Sequence, residues 1–454
     1  MMFLTSDQIA KLEPRGRRFD GTDRRLPLKS ALIEAGEFGP GQTAGRFYPM
    51  ACVALEITQR CNLDCSLCYL SDRAEAAHDV PMPALIDRIE SVLSHYGPGT
   101  SIQISGGDPT LRKIEDLEQL CHEIRARGMR SCLMTNGIRA KRPFLERLSA
   151  AGLDDIAFHV DLTQERKGYE SEAALNNVRR DYLARARGLG LRVLFNTTIF
   201  DGNLSEISAL AAFFRAHADE ITLASFQMQA ETGRGVLGSR GGAITQASVM
   251  ETLELGVGCR LDFDTAQIGH QSCNRYASIL TSGRKSVSAL SNQALFHHVF
   301  PILERLERRI DGHSEIWETG LRLALFKPLL ALRLAAHGIR RLWALRGGLI
   351  RTGRVHRMAL LIHNFMDAEK LEEDRCKSCV FMVMTGDGPI SMCVHNARRD
   401  EHLFQPVQMK EGWWSAATGQ TTKTPAPELP GSLPFKRLKG RSRAAALSER
   451  QATD

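Results

Sequence analysis

The chain has 454 residues, of which 43% are hydrophobic, and it carries a formal net charge of +7 at pH 7. This length suits one large domain with an appendage, or two domains, and the composition is that of a globular α/β protein. The 11 cysteines form no even disulfide-like pattern and the N-terminus lacks the basic and long apolar regions of a signal peptide, which argues against a secreted disulfide scaffold and predicts a cytoplasmic protein with free thiols.

Strand-like and helical patterns alternate from residue 51 to about 226, after a polar, glycine-rich N-terminal extension at 1–50. Several of the helical patterns place apolar residues at i, i+3 and i+4. Such alternation predicts a parallel sheet with right-handed crossovers, that is, an α/β domain over 51–240. The predicted strands are 51–57, 101–104, 130–134, 155–160, 191–197 and 220–226, and the predicted helices are 83–96, 113–127, 143–151, 172–189 and 204–216.

The alternation fades in the second half of the chain. Residues 241–365 have a mixed pattern and then a helical, basic and amphipathic one, and residues 366–410 hold a second group of cysteines. From 411 to 454 the composition is rich in Pro, Ser, Thr and Lys, which predicts a disordered tail.

The first chemistry-bearing motif is a cysteine loop directly after the first predicted strand. Cys61, Cys65 and Cys68 are separated by three and two residues. Iron–sulfur clusters normally take four thiolates, so three leave one iron open to a substrate or cofactor. A zinc site is the main alternative, but it usually shows two separated CxxC pairs. The spacing therefore favours an iron–sulfur cluster.

A glycine-rich motif, Gly106-Gly107-Asp108, follows the second predicted strand. Together the two motifs resemble the radical S-adenosylmethionine (SAM) superfamily. The resemblance implies a partial (βα)6 TIM-type barrel with a C-terminal helical and cysteine-rich extension, and a [4Fe–4S] cluster on the cysteine loop. It also implies that SAM chelates the open iron and is cleaved to a 5′-deoxyadenosyl radical by one electron, from a reductant such as flavodoxin or ferredoxin. In such barrels the chemistry gathers where the strands end.

The same resemblance implies four SAM contacts near the two motifs. Gly106 and Gly107 would let the backbone approach SAM closely, because no side chain blocks the path. Asp108 would accept from the SAM ammonium group, although most of the family has Glu there and Asp has a shorter reach. Tyr69 would lie near the adenine, and plain packing is the alternative for this residue.

Polar residues at three later strand ends complete the predicted SAM site. Asn136 would lie near the SAM carboxylate, Asp161 would bond the ribose hydroxyls, and Asn196 would join them at the same rim. Polar residues are common where loops start, so their shared location carries the prediction. The neighbouring His159 fits an ordinary hydrogen-bonded histidine.

The second cysteine group contains Cys376, Cys379 and Cys393. With His395 it would make a zinc site of Cys₃His type, and with Cys273 a second iron–sulfur cluster. Residues 363–396 resemble the C-terminal part of a radical SAM subgroup that includes archaeal tetraether lipid synthases and a pterin dimethyltransferase, which favours a second [4Fe–4S] cluster over zinc. The cysteines at 52, 121, 132 and 259 fall in apolar patterns and are predicted to be buried structural residues.

The basic charge is concentrated in residues 319–366, which contain nine Lys or Arg and no Asp or Glu. Arg322, Arg333, His337 and Arg340 share one helical face and the leucines mostly the other, although Pro328 should break the helix. This pattern suits peripheral contact with an anionic membrane surface. A helical cap over the barrel with a solvated basic side is the alternative, and nucleic acid is disfavoured because few aromatic residues are interleaved.

The first functional hypothesis is an enzyme that abstracts hydrogen from an unactivated carbon. A lipid or another long apolar substrate is preferred, because the basic amphipathic segment and the lipid-synthase resemblance agree. Radical methylation or C–C bond formation on a small heterocycle is the alternative reaction. A non-catalytic metal-binding or nucleic-acid adaptor is the alternative from another class.

Overall fold

A computed structural model describes residues 3–10, 23–235, 237, 240–306 and 316–425. One sheet of 11 strands, flanked by helices, dominates it, and a separate sheet has three strands. The helices are α1 Ser6–Ala10, α2 Leu26–Glu34, α3 Met82–Tyr96, α4 Ile114–Ala126, α5 Arg142–Ala150, α6 Glu172–Ala186, α7 Ile207–Ala216, α8 Gln246–Val257, α9 Gln293–Leu306, α10 Ile316–Phe326, α11 Pro328–Ala344, α12 Arg346–Thr352, α13 Glu373–Lys377, α14 Met392–Ala397 and α15 Arg399–Leu403. The strands are β1 Cys52–Thr58, β2 Ser101–Gly106, β3 Arg130–Thr135, β4 Asp155–His159, β5 Arg192–Ile199, β6 Ile221–Met228, β7 Asn274–Ser282, β8 Lys285–Ser288, β9 His356–Asn364, β10 Phe381–Thr385, β11 Gly388–Ser391, β12 Val407–Met409, β13 Gly412–Trp414 and β14 Thr421–Thr422.

The large sheet is mostly parallel and open at both edges. Its strand order is β11-β10-β1-β2-β3-β4-β5-β6-β9-β7-β8. Strands β10, β1 to β6 and β9 run parallel, so their carboxyl ends meet at one edge of the sheet. Helices α3 to α7 connect β1 to β6 in turn, as crossovers between parallel strands require. The predicted α/β class and its six parallel strands are confirmed, and the open sheet agrees with a partial barrel.

Strands β7 to β11 were not predicted. Residues 356–364 form a short apolar run next to a helical region, and periodicity does not separate a buried strand from a buried helix over such a length. In the structure this run is β9, which pairs with β6 and extends the sheet. Strand β10 pairs with the opposite side of β1, which brings the second cysteine group next to the strand that leads into the cysteine loop.

The predicted disordered tail is wrong for its first part. Strands β12, β13 and β14 form an antiparallel sheet between residues 407 and 422. Trp414 is buried in the main hydrophobic core, which anchors this segment. The remainder of the predicted tail, 426–454, lies outside the described residues, as do 11–22 of the N-terminal extension.

The helices of the basic segment differ in part from their predicted arrangement. The expected break at Pro328 is present, because α10 ends at Phe326 and α11 begins at Pro328. His337 is not on a solvated basic face: it is buried, and its Nε2 lies 3.0 Å from the carbonyl oxygen of Ala289. None of the described helices is long and apolar enough to cross a membrane.

A buried ion pair supports the end of β4, where part of the site is located. Arg179 and Glu172, both on α6, form a salt bridge and are each 1% exposed or less. Arg179 Nη2 also donates to the Val160 carbonyl oxygen (2.8 Å), and Glu172 Oε1 accepts from the Leu162 backbone N–H (3.1 Å). The pair therefore holds the backbone on both sides of Asp161.

We expect Arg179→Met to lower the free energy of unfolding by about 3–5 kcal/mol, because it leaves the Glu172 carboxylate buried without its partner. Arg180→Met is the matched control, since Arg180 is the exposed next residue of α6, and it should change stability by less than about 1 kcal/mol. Urea unfolding of both variants measures the difference. Equal, small effects would show that the pair does not support β4.

Candidate active site at the cysteine loop

The three loop cysteines face a cavity of about 210 Å³ at the carboxyl edge of the parallel strands. Each of β1 to β6 contributes wall residues at or near its end. Phe365, the residue that follows β9, also lines the cavity. The walls are largely apolar, through Leu63, Leu67, Leu70, Met134, Met228, Phe365, Val383 and Met392, with polar groups from Gln103, Ser105, His159, Gln164, Thr198, Gln227 and Asn396. The cavity thus joins the predicted cluster loop to a chamber that can hold an organic ligand.

Backbone hydrogen bonds from other strand ends clamp the cysteine loop. The segment after β6 donates three of them: Arg234 N to Leu70 O (2.7 Å), Gly235 N to Cys68 O (3.1 Å) and Leu237 N to Ser66 O (3.3 Å). After β4, the Thr163 carbonyl oxygen accepts from Ser66 N (2.8 Å). The contact of the segment after β6 was not predicted, and its Gly-Arg-Gly run, 233–235, was the available sequence signal for close backbone contact.

Gly106 and Gly107 make a close backbone contact that was not predicted. A Cβ on Gly106, whose φ is +122°, would lie 2.0 Å from the Thr58 carbonyl oxygen, and a Cβ on Gly107 would lie 2.1 Å from that of Arg60. The N–H groups of Gly107 and Asp108 donate to these two oxygens, each at 2.8 Å. Both glycines also line the cavity. Their missing side chains therefore let β2 contact the start of the cysteine loop itself.

Asp108 does not face the cavity, in contrast to the predicted contact with SAM. It is 0% exposed, and its carboxylate accepts from Thr110 N (3.0 Å), Thr110 Oγ1 (2.6 Å), Thr135 Oγ1 (3.0 Å) and Asn136 N (3.0 Å). Its short side chain ties the end of β2 to the end of β3. Asn136, which lines the cavity as predicted for a site residue, donates from Nδ2 to Asn62 Oδ1 in the cysteine loop (2.6 Å).

Asp161 is likewise a buried support, and His159 is the residue that reaches the cavity. Asp161 is 0% exposed and accepts from Thr163 N (3.0 Å) and Thr198 N (2.7 Å). His159 Nε2 lies 2.7 Å from Asp161 Oδ2. Burial alone would raise the pKa of Asp161, but the facing His159 and the hydrogen bonds hold that pKa below its usual range. The ribose contact predicted for Asp161 does not fit its burial, and the side chain of this pair that lines the cavity is His159.

Asn196 and Tyr69 differ in how closely they match their predictions. Asn196 is absent from the described cavity wall, because it is buried beneath Met134, whose sulfur lies 3.2 Å from Asn196 Nδ2. Tyr69 does line the cavity, and its hydroxyl donates to the Gly106 carbonyl oxygen (2.6 Å). The Arg399 guanidinium lies over its ring at 4.6 Å. Tyr69 therefore packs between the glycine motif and the C-terminal region.

Glu56 and Arg399 form a buried ion pair in the cavity wall that was not predicted. Arg399 Nη1 donates to both carboxylate oxygens of Glu56 at 2.7 Å. Burial alone would raise the pKa of Glu56, but the positive charge of Arg399 holds that pKa below its usual value. Since Glu56 is on β1 and Arg399 on α15, the pair fixes the C-terminal region against the strand of the cysteine loop.

The electrostatics of the loop set the protonation of its cysteines. Burial raises the pKa of Cys61 to about 12 and that of Cys65 well above its ordinary value. The charge of Cys68 adds to both increases, whereas the nearby Arg234 guanidinium opposes them. In the absence of metal the thiols of Cys61 and Cys65 are therefore neutral near pH 7, and binding of metal would release protons.

The structure places Cys273 near the second cysteine group. Cys273, Cys379 and Cys393 line a small cavity of about 20 Å³, and Cys376 is buried in the same apolar cluster as Cys393. Arg375 Nε donates to Cys273 Sγ (3.2 Å). His395 does not join them, because it stacks on His402 (5.4 Å between ring centroids) and neighbours Glu56. The zinc alternative that required His395 therefore does not fit this arrangement.

Both cysteine sets have the donor chemistry of iron–sulfur ligation, because three thiols line each cavity and Cys376 is buried in the same apolar cluster as Cys393. Among the described residues, no three His, Cys, Asp or Glu side chains already converge as a closed metal site, in either set. The remaining cysteines differ from one another. Cys121 and Cys132 are buried as predicted, whereas Cys52 and Cys259 are only partly buried.

Comparison with known proteins finds a family match over the cysteine loop and the strands from β1 to β5. Residues 55–214 match the Radical SAM superfamily. The PqqA peptide cyclase of Xanthomonas euvesicatoria pv. vesicatoria (strain 85-10) is 28% identical over 230 residues, 48% of this chain and 59% of that protein. The 7,8-dihydro-6-hydroxymethylpterin dimethyltransferase of Methanocaldococcus jannaschii is 28% identical over 188 residues, 40% of this chain and 36% of that protein. The chain thus spans less than two thirds of the length of these relatives.

Among solved structures, SuiB of Streptococcus suis aligns over 45% of each chain with 16% identity and a TM-score of 0.35. A structure of anSMEcpe with bound AdoMet aligns over 48% of this chain and 61% of that one, also with 16% identity and a TM-score of 0.35.

Fold and site define the class of this protein, an α/β protein whose parallel strand ends hold a three-cysteine loop of the iron–sulfur type. Residues 55–214, which carry the cysteine loop and the glycine motif, match the radical SAM superfamily. The family resemblance drawn from the cysteine spacing and the glycine motif is therefore confirmed, including the relation to a pterin dimethyltransferase. The match to this family implies that the cofactors are SAM and one [4Fe–4S] cluster.

We expect Gly107→Ala to displace the cysteine loop, because its new methyl group would overlap the Arg60 carbonyl oxygen. The cost should be about 1–3 kcal/mol of stability, with a clear loss of bound iron after anaerobic reconstitution. Gly242→Ala is the matched control, since no atom lies within 4 Å of the position of its new Cβ. If Gly107→Ala bound as much iron as this control, the close contact would not position the loop.

Proposed function

We propose that this protein is an enzyme that reductively cleaves SAM and abstracts hydrogen from a substrate carbon. The observation that carries the proposal is that Cys61, Cys65 and Cys68 open onto a cavity surrounded by the ends of the parallel strands. A [4Fe–4S] cluster held by these cysteines would bind SAM at its open iron and, with one electron from a reductant such as flavodoxin or ferredoxin, supply a 5′-deoxyadenosyl radical. The residues of the chain would then bind and orient SAM and the substrate, and would shield the radical from solvent.

Three side chains have defined roles in this proposal. Asn136 links the cavity wall to the cysteine loop through Asn62 and would keep a polar group on the cavity next to the loop that holds the cluster. Asp161 acts as a positioning residue, because it fixes the imidazole of His159 from below. His159 would then contact SAM or substrate, since it is the member of this pair that lines the cavity.

We further propose that Cys273, Cys376, Cys379 and Cys393 hold a second [4Fe–4S] cluster. The two cavities share Phe365 and Met392, so this second cysteine set is separated from the first cavity by a single layer of side chains. Arg375, which contacts Cys273, supplies positive charge next to the thiolates. This proximity suits a cluster that exchanges an electron with the reaction or contacts the substrate.

The apolar cavity wall favours an apolar part of the substrate as the site of hydrogen abstraction. The leucine, methionine and phenylalanine side chains there exclude water and would protect a carbon radical from side reactions. A lipid chain is one substrate of this kind. The similarity to a peptide cyclase and a pterin dimethyltransferase supports a second candidate, in which the same first step starts a bond-forming or methylation reaction on a peptide or a small heterocycle.

The proposed reaction requires Cys65. After anaerobic reconstitution with iron and sulfide, wild-type protein with dithionite and SAM should form 5′-deoxyadenosine, and Cys65→Ala should form none above background. Cys259→Ala is the matched control, since Cys259 is a partly buried cysteine that does not line either cavity. Equal product from Cys65→Ala and wild type, or no product from wild type, would instead favour a non-catalytic metal-binding adaptor.

The second cluster is tested by metal content. Wild-type protein should bind about eight irons per chain, and the double variant Cys379→Ala/Cys393→Ala about four, the content of one [4Fe–4S] cluster. The double variant should still cleave SAM, because its Cys61 loop is unchanged. About four irons in both proteins, with zinc in the wild type alone, would show that the second group is a zinc site.

A further inference from the structure

The exposed apolar side chains of this protein are concentrated in one place. Among the described residues, 14 large hydrophobic side chains are exposed, and nine of these lie between residues 321 and 350. The nine are Leu321, Leu325, Phe326, Leu329, Leu332, Ile339, Leu342, Trp343 and Ile350. We call them, with the arginines among them, the α10–α12 surface. Apolar patches of this kind usually mark an interaction site.

The outward orientation of these side chains follows from the way α11 is attached. Leu330 and His337, on one face of α11, are buried, with Leu330 in a small cluster shared with α9 and α10. Leu332, Ile339 and Trp343 lie on the opposite face by helical periodicity, and each is at least 65% exposed. The helix is therefore attached by its inner face, and it presents a second apolar face with no cover in the described structure.

Positive charge surrounds this apolar face. Residues 319–366 contain no acidic residue, and Arg333, Arg340, Arg346 and Arg351 are all exposed. Within the described part of the chain, none of these four arginines forms an ion pair. The Arg346 guanidinium lies 4.9 Å from the centre of the Trp343 ring, so a charge and an aromatic side chain are presented together.

We propose that the α10–α12 surface docks on an anionic lipid bilayer. The leucines, Ile339 and Trp343 would enter the boundary between headgroups and acyl chains, while the arginines would contact lipid phosphates. This chemistry matches an amphipathic helix that lies in the membrane interface, where apolar area and attraction to anionic lipid add. Tryptophan favours this boundary because its ring is apolar and its N–H is polar.

A second copy of this chain fits the same surface less well. A two-fold interface would bring the arginines of one copy toward those of the other, and no carboxylate of residues 319–366 is available to compensate them. Nucleic acid would match the charge, but the nine exposed apolar side chains would remain exposed or contact phosphates. An anionic bilayer accommodates the apolar and the charged parts at once.

Docking would be independent of the cysteine cavity. Helix α12 lies before the start of β9, whereas the cavity lies beyond its end, where Phe365 follows the strand. The strand between them has nine residues. The proposal therefore concerns where the protein is located and does not depend on a lipid substrate.

Co-sedimentation of the full chain with vesicles tests the proposal. Wild-type protein should pellet with vesicles of phosphatidylglycerol and phosphatidylcholine, and much less with phosphatidylcholine alone or at high salt. Arg333→Gln/Arg340→Gln/Arg346→Gln should weaken partitioning on the order of 100-fold, at roughly fivefold for each charge. Leu332→Gln/Ile339→Gln/Trp343→Gln should weaken it by at least about tenfold.

Each triple variant has a matched control. Lys141→Gln/Arg187→Gln/Arg260→Gln removes three exposed charges elsewhere, and Leu26→Gln/Ile33→Gln/Leu255→Gln removes three exposed apolar side chains elsewhere. Both control triples should partition like wild type. All variants should form 5′-deoxyadenosine normally without vesicles, so this test is separate from that of the enzyme.

Three results would overturn the proposal. The first is equal pelleting with and without anionic lipid, and the second is equal loss in a test triple and its control. The third is a wild-type dimer in sedimentation equilibrium that the apolar triple converts to monomer, which would identify the surface as a contact between two copies.

Discussion

The site depends on a backbone contact that only glycine permits. At the end of β2, Gly106 and Gly107 approach the carbonyl oxygens of Thr58 and Arg60 more closely than any side chain allows. This contact fixes where the chain leaves β1, and the cysteine loop begins there. Hydrogen bonds from the segments after β4 and β6 then hold the rest of the loop. The position of all three cysteines therefore follows from how the strand ends meet.

The two carboxylates at the carboxyl edge act as supports beneath the cavity. Asp108 joins the ends of β2 and β3, and Asp161 joins β4 to Thr198 on β5. Each accepts several hydrogen bonds from buried donors, so each fixes other groups that do reach the cavity, namely Asn136 and His159. Aspartate suits this role, because its short side chain can accept a hydrogen bond from the backbone N–H two residues further along the chain. The departure from glutamate in the glycine motif is consistent with a structural role for Asp108.

Local patterns in the sequence predicted the cysteine loop, the six parallel strands and the edge where the site lies. They failed where long-range pairing decides the structure. The run 356–364 is a strand because β6 offers it an edge, and the second cysteine group lies next to the strand that leads into the cysteine loop because β10 pairs with β1. The sequence also does not predict which polar side chains are buried, because the spacing of Asp161 and His159 does not reveal which one faces the cavity. The outward apolar face of α11 depends on which side packs on α9, which helical periodicity alone leaves open.

The proposed reaction requires that the Cys61 loop hold a cluster with one open iron. Electron paramagnetic resonance of the dithionite-reduced Cys379→Ala/Cys393→Ala variant tests this directly, because the loop cluster is then the sole source of signal. We expect a reduced-cluster spectrum whose g values shift when SAM is added. A spectrum that SAM leaves unchanged, or no cluster signal at all, would contradict it.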